Sequence, residues 1–228
     1  MALDLNDKTA NGNNLTNVNT VSDVTTSLAS ITGTTDAAGF AAASSQTLTA
    51  VDSASLSITP PLTIELWVKF ATTPSSGNYY SLVTKWTHEG TGLILRSYQV
   101  VLNNVGGTLK LEFDSSSDGG NSGVKAAQWN WTPTTGVWYH VAVTNDTSGN
   151  VIAYIDGSSL GTVTTQNTSI SDQSTILRIG SVGDAVGNPS IFLDGELDEI
   201  RIWSVVRTGT EITNNKGTEI NPATANLV

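Results

Sequence analysis

Cysteine is absent from the 228 residues, which excludes disulfide frameworks, thiolate zinc sites and cysteine nucleophiles. Any bound metal must therefore be held through oxygen or nitrogen, and acidity favours calcium. Cations are also few: 10 Lys and Arg stand against 20 Asp and Glu, for a formal charge of −10. Nucleic acid is excluded as an expected partner, because neutralising phosphates needs clustered Lys and Arg. No apolar run approaches the length of a membrane span, and residues 1–30 lack the basic, apolar, small-residue order of a secretory leader. Lys and Glu are scarce while Ser, Thr and Asn abound, a balance that disfavours long helices and suits strands joined by turns. The polar, lightly charged composition is one common in proteins that work outside the cell. One domain over residues 1–228 is expected, since all-β sandwiches commonly reach this length.

The residues that are present alternate. Ile64, Leu66, Val68 and Phe70 interleave with Thr63, Glu65, Trp67 and Lys69, the two-residue period of a half-buried strand, and Pro60-Pro61 sets its start. Similar strands are predicted at Tyr79 to Trp86, Leu93 to Leu102, Thr108 to Phe113, Trp138 to Asn145, Val151 to Asp156, Ile176 to Gly180 and Ile191 to Trp203. Asn145 to Asn150 reads as a hairpin loop, and Asp156-Gly157 as a turn. Residues 1–60 read as loops with short edge strands. Thr208-Gly-Thr-Glu211 has capping-box spacing and predicts one short C-terminal helix that Gly217 would stop. Short turns without intervening amphipathic helices imply two packed antiparallel sheets.

Three stretches, Leu62 to Phe70, Trp138 to Thr144 running into Ala153-Tyr-Ile-Asp-Gly157, and Phe192 to Trp203, resemble in order and spacing the laminin-G-like branch of the concanavalin A-like lectin/glucanase superfamily. The resemblance runs from about residue 37 to residue 216. It implies an all-β, antiparallel jelly-roll sandwich of two curved sheets with one short C-terminal helix. Its members include glycan-binding modules, adhesion domains, calcium binders and hydrolases, so fold alone leaves the chemistry open.

Hydrolytic relatives carry Glu, any, Asp, any, Glu on one strand. Here Glu196 and Asp198 share a face while Glu199 is sent to the other, and Ile200 stands where the second glutamate belongs. Asp198 would face inward with Ile200 and Ile202, and must find a cation or several donors. The resemblance implies that it holds a structural calcium ion, with Asp7 as second ligand; backbone amides are the alternative partners. Ala41 to Gln46 supplies no carboxylate where relatives often have an acidic turn. His140 is expected to hydrogen-bond inside the sandwich and His88 to lie in a solvated loop.

Sugar rings stack their C–H faces on flat aromatic side chains. Trp86, Trp129 and Trp131 are therefore the candidate glycan-binding residues, expected to be exposed or half-exposed, with Arg96, Asp114 and Asp118 on the same rim. Trp67, Trp138 and Trp203 are expected in the core or its edges. The preferred reading is a non-catalytic recognition or adhesion module with a glycan or surface polysaccharide as partner and one structural calcium. The alternatives are a purely architectural repeat, set among neighbouring repeats or in a phage decoration or tail protein, and an atypical glycoside hydrolase.

Overall fold

The alternation from Leu62 to Phe70 becomes the centre of the molecule. In the computed structural model, which describes residues 3–25, 36–87 and 94–228, the strands are β1 (Thr16–Val18), β2 (Ser22–Thr25), β3 (Asp36–Phe40), β4 (Thr47–Ala50), β5 (Leu62–Phe70), β6 (Tyr79–Trp86), β7 (Arg96–Val105), β8 (Thr108–Ser116), β9 (Val124–Asn130), β10 (Trp138–Asn145), β11 (Val151–Ile155), β12 (Ser158–Val163), β13 (Leu177–Ile179), β14 (Val182–Gly183), β15 (Pro189–Ser190) and β16 (Gly195–Trp203). Sheet one has the order β1-β4-β13-β6-β7-β8-β9, and sheet two β12-β11-β10-β5-β16-β3-β2. Their pairings are antiparallel. Ile64, Leu66, Val68 and Phe70 pack against Val100, Leu102, Leu111 and Phe113 in one apolar core between the two curved sheets.

Expected strands 62–70, 79–86 and 138–145 match β5, β6 and β10 end for end. Leu93 and His88 lie outside the described residues. Asp156 and Gly157 take φ values of 54° and 87°, the two left-handed positions of a tight hairpin that Asp-Gly tolerates. Two elements differ from the expectation at the N-terminus: β3 and β4 are interior strands, and only β1 and β2 are edges. β9 and β12 have no counterpart in the predicted strands, because each is an edge strand with half its side chains in water and little apolar alternation. The helix α1 (Gly209–Asn215) starts as read: Thr208 Oγ1 accepts from Glu211 N, and Glu211 reaches back to the amide of Thr208.

The solvent side expected for β5 does not exist. Thr63, Glu65 and Trp67 are buried on the face turned away from the core, Thr63 against Val205 and Arg207 before α1 and Trp67 against Lys216 after it. Trp67 Nε1 donates to Lys216 O at 2.8 Å, and Arg201 donates to Asn215 O and Thr218 O. Glu65 Oε1 accepts from Trp203 Nε1 at 2.9 Å and lies 3.7 Å from Arg201 Nη1. His140, 3.5 Å from Glu65, stands edge-on to Trp67. Burial, with the nearby charges of Arg201 and Lys216, pushes the imidazole down to about 3, so it is neutral. Replacing Glu65 with Ala leaves buried Trp203 Nε1 without its acceptor and Arg201 with Glu199 as its one carboxylate partner among the described residues; a loss of about 1–3 kcal/mol is expected, read by urea denaturation, and a loss under about 0.5 kcal/mol would show the contact to be dispensable.

Candidate functional site

The face of sheet one turned away from the core carries a ladder of interacting polar side chains. Since Tyr98, Val100 and Leu102 of β7, Leu109, Leu111 and Phe113 of β8, and Ala127 and Trp129 of β9 face the core, the two-residue period sends Gln99, Asn103, Lys110, Glu112, Asp114 and Gln128 to the other side. Register then places Gln99 beside Asp114, and Glu112 beside Gln128. Gln99 Nε2 donates to Asp114 Oδ2 at 2.7 Å. Asn103 Nδ2 and Gln128 Nε2 both donate to Glu112 Oε2, at 2.9 and 2.6 Å, and Lys110 Nζ donates to Gln128 Oε1 at 2.9 Å. Burial and the neighbouring Glu112 charge push the Asp114 carboxyl well above the usual carboxylate range, against the pull of Gln99 and Arg96. Asp114 is 5% exposed, and its Oδ1 and Gln99 Oε1 are buried without a hydrogen-bond partner.

Of the residues singled out from sequence, Asp114, Arg96 and Trp86 come together at this end of sheet one. The Arg96 guanidinium lies 5.1 Å from the centre of the Trp86 ring. The expected exposure is corrected for two tryptophans. Trp86 is 4% and Trp129 6% exposed, the latter because the period of β9 turns it into the core, where Nε1 donates to Gly161 O. Trp131 is half-buried elsewhere, edge-on to Phe70 and Tyr139. Trp67 and Trp203 are buried and Trp138 half-buried, as expected. Gln99, Glu112 and Gln128 were not singled out from sequence; the pattern Glu112-Phe-Asp114, alternating carboxylates on one strand, was the available signal.

A bulge in β16 overturns the inward orientation expected for Asp198. Asp198 pairs with Trp67 and Arg201 with Glu65, so Glu199 and Ile200 together oppose Leu66, and Glu199 has φ 49°. The extra residue shifts the period: Leu197 and Ile202 face the core, while Asp198 lies on the other face. Its Oδ1 accepts from Glu199 N at 2.8 Å, Oδ2 is buried without a partner, and burial pushes the carboxyl up to about 7. Glu196 instead pairs with Lys69 at 2.6 Å.

Asp7 and Asp198 do not line a common cleft. A cleft of about 240 Å³ between the N-terminal loop and the C-terminal segment is bordered by Asp7, Asn13, Glu199 and Arg201, but not by Asp198. Asp7 Oδ1 accepts from Thr9 N and Oδ2 from Asn13 N, each at 2.7 Å; against a desolvation penalty, these amides hold the carboxyl below its usual range. Among the described residues no three His, Asp or Glu side chains converge. The oxygen donors of the Asp7 loop are of the type calcium takes.

Glu112 and Asp114 stand side by side on one strand, within hydrogen-bonding reach of each other. Glycoside hydrolysis needs carboxyls about 5 Å or more apart on either side of the scissile bond. What this arrangement suits is the recognition of hydroxyl groups.

A family model for the concanavalin A-like lectin/glucanases superfamily matches residues 42–213. No curated protein matches the sequence. Among solved structures, domain 4 of AbnA, a GH43 extracellular arabinanase from Geobacillus stearothermophilus determined with arabinotriose, superposes with a TM-score of 0.64 and 20% identity over 92% of each chain. The binding domain of Paraclostridial Mosquitocidal Protein 1 gives 0.64 at 13% identity, covering 90% of this chain and 47% of that one. Botulinum neurotoxin type C, whose cell entry depends on interaction with two ganglioside molecules, gives 0.59 at 11% identity over 90% and 46%. This chain thus spans about half of either toxin chain. At these identities the likeness is one of fold.

With its carboxyl raised from 3.8 to about 7, Asp198 keeps a proton in the folded protein that the unfolded chain has released, so its contribution to stability is full below about pH 4 and is lost as pH rises through about 7. The melting temperature of the parent should therefore fall more steeply from about pH 5 to about pH 8 than that of Asp198→Asn; parallel curves would remove Asp198 as the titrating group.

Proposed function

Because the chain belongs to the concanavalin A-like lectin/glucanase superfamily, we propose that it is a non-catalytic, carbohydrate-binding recognition module working outside the cell, on a cell surface or in a virion. The observation that carries this reading is the polar ladder on the outer face of sheet one, where buried Asp114 and Gln99 each keep an oxygen without a donor. Sugar hydroxyls supply the missing donors. The arabinotriose bound to the arabinanase domain of similar fold supports the ligand class. Among the described residues no helix is long and apolar enough to cross a membrane.

An architectural role is the second reading. It is favoured by the burial of Trp86, which stands at the end of this face but is only 4% exposed, and by the Ser81, Thr84 and Val101 side chains along its deeper rows. A glycan array separates the two. Binding to any glycan class, weakened by substitution of Gln99 or Asp114, supports recognition; a blank array with folded protein supports architecture.

A structural calcium ion is a separate proposal, resting on the Asp7 loop, whose carboxylate and carbonyl oxygens would hold it. Added calcium should raise the melting temperature of chelator-stripped protein by mass action, and Asp7→Asn should abolish the rise. No rise overturns the ion, and a rise lost equally in Asp198→Asn would restore a site shared by both aspartates.

A further inference from the structure

The ladder is unbalanced in its hydrogen bonding, and the imbalance defines a ligand. Gln99 must turn its amide nitrogen to the Asp114 carboxylate, since a carboxylate needs a donor, and this leaves the amide oxygen without a partner. Asn103 and Gln128 commit their nitrogens to Glu112 in the same way, and Lys110 commits its ammonium to Gln128. The atoms left over between β6 and β9 are the acceptors Gln99 Oε1 and Asp114 Oδ1, together with the hydroxyls of Ser81 and Ser97. Arg178, two strands away on the same face, is roofed by the loop after β14, where Nη2 donates to Gly187 O. A proton held between Asp114 and the neighbouring Glu112 stays inside the pair and adds no outward donor, and a carboxyl oxygen keeps a lone pair to accept with. The charge of the ladder is near balance, with Glu112 and Asp114 beside Lys110 and Arg96, in a chain of net charge −10.

Access comes from the β9 side. Ala126, directly opposite Asp114 in the register, is exposed, and Gln128 is half-buried, so a small alanine side chain stands between solvent and the buried oxygens on this side. The approach is from the edge of sheet one, since among the described residues no strand of that sheet pairs beyond β9.

We propose that this face selects glycans that donate hydrogen bonds, namely neutral or amino-bearing polysaccharides, and rejects uronate- or sulfate-bearing ones; the inference rests on the carbohydrate-binding reading above. A hydroxyl donates to Gln99 Oε1 or Asp114 Oδ1 and satisfies it. A sugar carboxylate or sulfate offers only acceptors, so it leaves Gln99 Oε1 and Asp114 Oδ1 unpaired and sets further acceptors against them.

The test is binding of the whole chain, at neutral pH and low salt, to immobilised arabinan, chitosan and polygalacturonate. Arabinan or chitosan should be retained and polygalacturonate not. Asp114→Asn, which replaces one carboxylate oxygen by a donor, should weaken the retained binding by roughly tenfold. Ala126→Arg serves as a second variant at an exposed position that leaves the core untouched, and its guanidinium should take the orphaned oxygens and weaken binding similarly. Preference for polygalacturonate overturns the selectivity while leaving the carbohydrate reading intact. Retained binding that neither folded variant weakens overturns the assignment to this face. Binding to none of the three overturns the carbohydrate reading and the inference with it.

Discussion

The central strand Leu62–Phe70 has no side in water, and this constraint organises the rest of sheet two. One face fills the core with Ile64, Leu66, Val68 and Phe70; the other buries a carboxylate at Glu65. A carboxylate so placed is stable only if its neighbours supply donors and positive charge. Trp203, Arg201 and His140 stand around it from the strands on either side, and the chain after α1 returns to accept from Trp67 and Arg201. The short helix, itself secured by its capping box and by buried Ile212, delivers that segment to its place.

The bulge in β16 follows from the same requirement. Arg201 must face Glu65 while Leu197 and Ile202 both face the core, and a strict two-residue period allows no such combination. One extra residue, with Glu199 in a left-handed conformation, reconciles them. The consequence for chemistry is large: Asp198 leaves the face on which strict alternation puts it, and the acidic run Glu196 to Glu199 is divided among a lysine, a backbone amide and an arginine.

Much of the remaining acidity shapes loops. Asp146 accepts from the amides of Ser148 and Asn150, Asp184 from those of Val186 and Asn188, and Asp118 from Gly120 and the Ser122 hydroxyl. Each takes up donors that a loop would otherwise leave to water, and each carboxyl is held below its usual range. The acidic excess is thereby spread over turns, in contrast to the paired carboxyls on sheet one. In that pair a buried carboxyl stands opposite exposed Ala126.

The pattern of residues by itself determined the class of fold, the ends of β5, β6 and β10, the Asp156-Gly157 turn and the capped helix, because each rests on local periodicity or on the backbone preference of one or two residues. It also pointed to Asp114, Arg96 and Trp86 as neighbours. It did not reveal which tryptophans are exposed: Trp129 sits on an edge strand of weak alternation, and only its pairing with β8 fixes the face it takes. Tertiary structure alone decided the bulge, the burial of the polar face of β5, and the meeting of Gln99, Glu112, Asp114 and Gln128. Those depend on register between strands that are distant or differently aligned in the chain, and a one-residue change in register moves every side chain to the other face.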